Sequence, residues 1–223
     1  MAKDVAIENI RHSFAHVLAA AVKKFYPKVE FGIGPVIENG FYYDFALPAE
    51  ALAKAGGHFI ADADLLRIEE EMRKIAAGKH AFKKELWPAS KALAYYKKQD
   101  QPNKLELIKD LQKAAKKKIQ NTKYKIQDTK LGMVYTGDVF LDLCRGGHVK
   151  NTSELPLDAF TLTRVAGAYW RGDSRRQMLQ RIYWTAWFSK DDLEGYVRRL
   201  EEARKRDHRV IGKQLDLFSI QED

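Results

Sequence analysis

In DADLLRIEEEMRKIAAG, apolar residues fall at positions 65, 66, 68, 72 and 75 among charged ones, the spacing of one helical face. That spacing predicts a helix over residues 62–78, opened by a capping Asp. Earlier in the chain, the alanine-rich run RHSFAHVLAAAVKKF has strong helix propensity and predicts a helix over 6–25 that Pro27 ends. Between the two, VEFGIGPVIENGFYYDFAL places the turn signal Glu38-Asn39-Gly40 between apolar runs, so it reads as strand, turn and strand. AFKKELWP reads as a strand, and ASKALAYYKKQ as a helix with its N-cap near Ser90. LELIKDLQKAAKKK fits either a helix or a strand. KYKIQDT, LGMVYTG, DVFLDLC, FTLTRVAGAYWR and QRIYWTAW read as short β segments. The charged stretch 189–217 reads as a long helix opened by Ser189, with Asp191 and Asp192 in its first turn.

The sum is an α+β chain: mixed, mostly antiparallel sheets with packed helices, followed by a long C-terminal linker helix. No internal repeat or low-complexity linker divides it. LFSI, at 217–220, is strand-like with little chain left to pair it, which predicts that the sequence continues in a longer protein.

At 223 residues, 45% of them hydrophobic and 11% aromatic, the chain can bury a core, which excludes wholesale disorder. Its apolar runs are far shorter than the roughly 20 residues a membrane span needs. The N-terminus has no apolar signal-peptide core. A single cysteine, Cys144, excludes an internal disulfide framework and fits a reducing cytosol, so a cytoplasmic protein with no membrane partner is expected. Lys plus Arg exceed Asp plus Glu by 39 to 30, a formal charge of +9, which favours a polyanionic partner. The lysines crowding 109–125 read as a solvated face. Arg164, Arg171, Arg175, Arg176 and Arg181 are interleaved with Tyr169, Trp170, Tyr183, Trp184 and Trp187, a mixture suited to phosphate contacts beside stacking platforms.

His12 and His16 are four apart, so they share one helix face. Far downstream, LCRGGHV holds Cys144 and His148. The HxxxH and CxxxH pairs together make a donor set suited in number and type to Zn²⁺. His58, His80 and His208 lie in polar surroundings and read as surface.

RHSFAHVLAAAVKKFYP, GIGPVIENGFYYDF, DLCRGGHV, AGAYWRGDS, MLQRIYWTAW and KRDHRVIGKQLDLF, in this order, resemble the editing domain of bacterial threonyl-tRNA synthetases. That family shares the HxxxH and CxxxH pairs with the alanyl-type editing domains. The resemblance implies an editing domain over 1–187, a linker helix over 188–215, and at 216–223 the start of an aminoacylation domain. It implies no tRNA charging by these residues, since ATP and a zinc ion are expected only in that further domain. The family's ubiquitin-like N-terminal domain has no counterpart here. Two departures stand out. The usual CRGPH turn is CRGGH here, with Gly147 in place of proline, and the segments 47–62 and 111–125 are longer than usual.

The activity implied is hydrolysis of seryl-tRNA(Thr). A pocket chosen for threonine rejects serine by only about 1–3 kcal/mol per missing methyl, so a second, hydrolytic sieve is needed. By resemblance, His12, His16 and Lys104 are the catalytic set, with His12 orienting or deprotonating water and Lys104 stabilising an oxyanion. Tyr43, Asp142, Cys144 and His148 match substrate-binding positions, with Asp142 taking the serine α-ammonium while Tyr43 and Cys144 wall the side-chain slot. The five arginines from Arg164 to Arg181 are assigned to the tRNA acceptor end. The threonyl branch implies no metal. If one is bound, His12, His16, Cys144 and His148 are its ligands. Two rival readings are a zinc-dependent deacylase acting in trans and a non-catalytic module that binds the acceptor stem. The fragment is expected to be monomeric and its parent synthetase a homodimer.

Overall fold

The computed structural model describes residues 6–48, 60–119, 129–206 and 211–212. Along the chain, α1 (Ile7–Phe25) is followed by β1 (Glu30–Phe31), β2 (Val36–Ile37), β3 (Gly40–Ala46), α2 (Leu65–Ala77), β4 (Phe82–Pro88), α3 (Ala89–Lys98) and α4 (Pro102–Ile119). Then come β5 (Lys130–Thr136), β6 (Phe140–Leu143), β7 (Phe160–Tyr169), β8 (Met178–Ala186) and α5 (Lys190–Lys205).

The strands form two antiparallel sheets. The larger runs β1-β3-β8-β7, with β2 also on β3, and the smaller runs β4-β5-β6. Helix α1 lies between them. On one side Phe14 is fully buried, with ring centroids 4.4 Å from Phe160 and 5.6 Å from Trp184 of the large sheet. On the other side His16 meets Phe140 and Thr136 of the small sheet. The alanines 15, 19, 20 and 21 are what let a helix sit so deep, because they bring its backbone close to both sheets. Helix α2 covers the rest of the large sheet with Leu65, Ile68, Met72 and Ala76, in the same core cluster as Phe14. A second cluster, with Trp87, Tyr96, Ile108, Leu131 and Met133, joins α3 and α4 to the small sheet.

The α+β architecture expected from the pattern is what the chain adopts, and every strand pairing among the described residues is antiparallel. LELIKDLQKAAKKK resolves as helix, within α4. The stripe on α2 is narrower than its spacing suggested: Leu66 is 74% exposed. No Asp caps α2 through its side chain. Asp64 instead accepts from the amide of Ala61, and Asp62 from that of Val165. The N-cap of α3 is Pro88, two residues before Ser90. His80 is half-buried rather than open surface, its amide donating to the Thr152 hydroxyl. Of the stretch expected to be one long helix, α5 covers Lys190–Lys205, and residues 211–212 are again helical. KYKIQDT except its last residue, LFSI, His58, His208, and residues 49–59 and 120–125 of the two longer segments lie outside the described residues.

Candidate active site

Four elements bring the site together. Helix α1 presents His12 and His16, the end of β6 leads into Cys144, the following loop returns His148, and α4 supplies Lys104. Cys144 is fixed by a close backbone approach. Its amide donates to the Gly132 carbonyl at 2.9 Å, and a Cβ on Gly132 would stand 2.3 Å from the Cys144 carbonyl oxygen. Only glycine tolerates that approach.

After Cys144 the chain turns through Gly146 (φ +100°) and Gly147 (φ +87°). Proline, locked near −65°, cannot adopt the second value. A proline at 147 could therefore not follow this path. The turn's backbone offsets part of the desolvation that lowers the pKa of His12. It also returns His148 to a point where its Nε2 is 3.2 Å from Cys144 Sγ, the same distance as His12 Nε2 on the other side.

The ligand atoms of His12, His16, Cys144 and His148 all lie within 4.8 Å of one another. His16 Nδ1 is 3.4 Å from Thr136 Oγ1, and His148 Nδ1 is 3.5 Å from Ser13 Oγ. Such outer partners orient imidazoles around a shared centre. The donor set and spacing thus fit a zinc ion held by these four residues. Burial keeps the cluster uncharged. Desolvation lowers the pKa of His12, holds His16 well below its ordinary value, and pushes His148 down to about 2. It pushes the Cys144 thiol up to about 11.

Next to the cluster is a cavity of about 110 Å³ lined by His12, Ala15, His16, Ile33, Gly34, Tyr43, Lys104, Leu107, Asp142, Leu143 and Cys144. Six of the seven sequence-derived pocket residues reach it. His148 does not line it and lies behind Cys144, stacked 5.0 Å from Phe82. At the cavity wall is a buried polar network. Lys104 Nζ is 2.8 Å from the Asp142 carboxylate and 3.2 Å from Tyr43 Oη, and the Tyr43 hydroxyl donates to Asp142 at 2.5 Å. Tyr96 donates to the other Asp142 oxygen at 3.0 Å and accepts the Leu143 amide at 2.6 Å. Asp142 is thus satisfied inside the protein before any ammonium arrives. Burial raises both tyrosines well above the ordinary phenol value, so they remain donors.

The arginines do not converge. Arg171 pairs with Glu106 and Asp110 of α4, Arg176 with Glu106, and Arg175 with Asp173. Arg181 grips Asp44 with two bonds, at 2.6 and 2.9 Å, over the Tyr42 ring. Arg164 stacks 4.2 Å over Tyr183. Trp170 and Trp184 are core residues, 3% and 2% exposed, and offer no open stacking face. What the hairpin between β7 and β8 does visibly is hold α4. Trp170 Nε1 and Arg176 donate to the two Glu106 oxygens, two residues beyond Lys104.

Tyr96, Ser13 and Thr136 escaped the sequence reading. Ser13 stands between the two α1 histidines, Tyr96 follows Tyr95 on a lysine-rich helix, and Thr136 ends a strand; none carries a motif of its own.

Residues 131–183 match the domain described as threonyl and alanyl tRNA synthetase second additional domain. A threonine--tRNA ligase of Aromatoleum aromaticum is 46% identical over 220 residues, 99% of this chain and 30% of that protein. One from Francisella tularensis subsp. tularensis is 45% identical over 217 residues, 97% of this chain and 30% of that protein. The chain spans less than a third of the length of the curated relatives it matches.

Proposed function

We propose that this chain, which carries the threonyl and alanyl tRNA synthetase second additional domain, is an editing region that hydrolyses seryl-tRNA(Thr). The observation that carries the reading is convergence: His12, His16, Cys144, Lys104 and Asp142, from separate parts of the chain, line one small cavity. An aminoacyl ester needs no covalent nucleophile, only a placed water and a stabilised oxyanion. His12, neutral through burial, takes a proton from water in the cavity. Lys104 faces the developing oxyanion, and the serine α-ammonium shares Asp142 with it. Tyr43 and Cys144 wall a slot too tight for the threonine methyl, and His16 and His148 back the wall.

The editing region extends through residue 187 and the linker helix over 188–215, with 216–223 opening the aminoacylation domain of a cytoplasmic, homodimeric parent. The partner is the acceptor end of tRNA(Thr), and Arg164 and the exposed Arg175 are the arginines best placed for its phosphates. No helix among the described residues is long and apolar enough to cross a membrane. Incubating the chain with seryl- and threonyl-tRNA(Thr) tests the reading: the seryl ester should be lost and the threonyl ester spared. Equal loss of both, or loss of neither above the buffer blank, sinks it.

One observation favours a second reading. The donor atoms of His12, His16, Cys144 and His148 fit zinc, which would supply a polarised water to a deacylase of the same pocket. Metal content of protein purified without chelator, beside its activity, separates the two.

A further inference from the structure

A register break in β7 decides what the open face of the large sheet offers. Leu162 pairs with Trp184 but Arg164 with Tyr183, so Thr163 is an extra residue in the ladder. Without that bulge Arg164 would stand opposite Ile182 and share the face of that fully buried residue. With it, the exposed guanidinium lies 4.2 Å over the Tyr183 ring on the other face. Carboxylates hold Arg171, Arg175, Arg176 and Arg181, whereas none among the described residues holds Arg164.

Arg164 and Tyr183 line a cleft of about 440 Å³ between the sheet and α5, a size suited to a small ligand. Tyr196 and Leu200, one turn apart on α5, add a second aromatic ring and an apolar side chain. Glu38 brings the one carboxylate of the lining, and among the described residues no cation pairs with it. We infer that this cleft binds one nucleotide of a single-stranded RNA end. Arg164 takes its phosphate, the aromatic walls its base, and Glu38 the base's exocyclic amino group; this rests on the editing reading above, whose substrate supplies such an end.

Each group answers one part of that ligand. A guanidinium stacked on a ring keeps its N–H edges for phosphate oxygens. Aromatic rings hold single strands because every base has a π face. A carboxylate only accepts, so it favours cytosine or adenine, which present an amino group where uracil presents a carbonyl.

The cleft also adjoins the cavity. Gly34 lines the cavity and Ile37 the cleft, three residues on and so within about 11 Å. Arg11, the residue before His12, fixes the two together: its Nε donates to the Ala186 carbonyl at 3.1 Å and its Nη1 to that of Glu38 at 2.9 Å. A strand whose acylated last sugar enters the cavity has its preceding nucleotides within reach of the cleft.

Titrating the full chain with an unacylated RNA tetranucleotide, followed by backbone amide spectra, tests this. Shifts should appear at 37–39, 163–164, 183 and 196–200. Arg164→Ala should weaken binding roughly tenfold, the worth of one hydrogen bond to a charged group, and remove about 0.7 from the slope of log affinity against log salt. Arg164→Lys, which keeps the charge and loses the stack, should restore the slope without the full affinity. Strands containing cytosine or adenine should bind several-fold better than an all-uridine one, and Glu38→Gln should erase that preference. No shift at the cleft, as when another segment or a second copy fills it, overturns the inference. So do equal shifts with inorganic phosphate alone, or an Arg164→Ala variant that binds like the parent. The probe carries no ester, so a chain that hydrolyses nothing fails the editing reading alone, and the titration still decides the cleft.

Discussion

His12 and Cys144 are 132 positions apart and end with their reactive atoms 3.2 Å apart, whereas Arg171, Arg175, Arg176 and Arg181 are near neighbours that end paired with carboxylates of the chain itself, Glu106, Asp110, Asp173 and Asp44. Both groups stood out in the sequence. The first is a set of electron-pair donors that fold onto one centre. The second is a set of charges that the fold has mostly spent on its own Asp and Glu residues. A row of arginines counts formal charge, and only the folded chain says how much of it remains for a partner.

The largest expected effect breaks the comparison at its centre. His12→Ala should slow single-turnover loss of the seryl ester by about 10²–10⁴-fold, the usual cost of removing a general base. Arg175→Ala, measured beside it, should leave the chemical step unchanged. A hydrolytic step insensitive to His12→Ala would remove the base from the mechanism.

Next in size is the buried pair. Lys104→Met leaves the Asp142 carboxylate buried without its cation, and breaking such a pair costs about 3–5 kcal/mol. Denaturant unfolding of the variant should show that loss. A midpoint equal to the parent's would mean that Tyr43, Tyr96 and the Leu143 amide suffice for Asp142.

Acid should separate the two regions. His148, His16 and His12 have folded pKa values below the ordinary 6.5, so between those values the unfolded chain binds more protons than the folded one. Stability should be complete above about pH 6.5 and fall as pH drops below it, by up to about 1.4 kcal/mol per pH unit for each such histidine. Glu106, Asp110 and Asp173 are depressed mainly by the arginines they bond, so their contribution should hold above the ordinary 4.5 and 3.8 and be lost as pH falls from there through the lowered values. Urea midpoints measured stepwise from pH 7.5 to 5 would refute the pocket's share by staying flat.

The smallest effect concerns salt. Each phosphate neutralised on a single strand contributes about 0.7 to the slope of log affinity against log salt. If the arginine pairs persist in the complex, Arg171→Ala should change that slope by less than this amount. A full unit lost would mean that Arg171 leaves Glu106 and Asp110 to bind tRNA.

The helices and strands were legible because their periodicities are local: α1, α2 and the strand pair around Asn39 follow from spacing and turn chemistry. Leu66 and the capping Asp misled for the same reason, since nothing local says that Leu66 faces outward or that Asp62 serves the Val165 amide. His12, His16, Cys144 and His148 were found as a set because their side chains have few other uses together. Tyr96 was not, since a tyrosine on an amphipathic helix is ordinary until Asp142 is placed against it. The ion pairs of Arg171 and Arg176 were equally hidden, because Glu106 and Asp110 lie in a segment whose pattern fitted helix and strand alike.

The Gly146-Gly147 turn has a consequence that concerns handedness. A side chain at Gly147 would find its nearest neighbour, Asn9 Oδ1, 3.3 Å away, so room is nearly sufficient. The obstacle is the sign of φ, which for an L residue crowds Cβ against the preceding peptide group. For a D residue the same angle is a relaxed one. Introduced by chemical ligation, D-alanine at 147 should therefore stiffen the turn beneath His12 and raise the unfolding midpoint, while L-alanine lowers it. This stretch of the chain is selective for mirror symmetry more than for size.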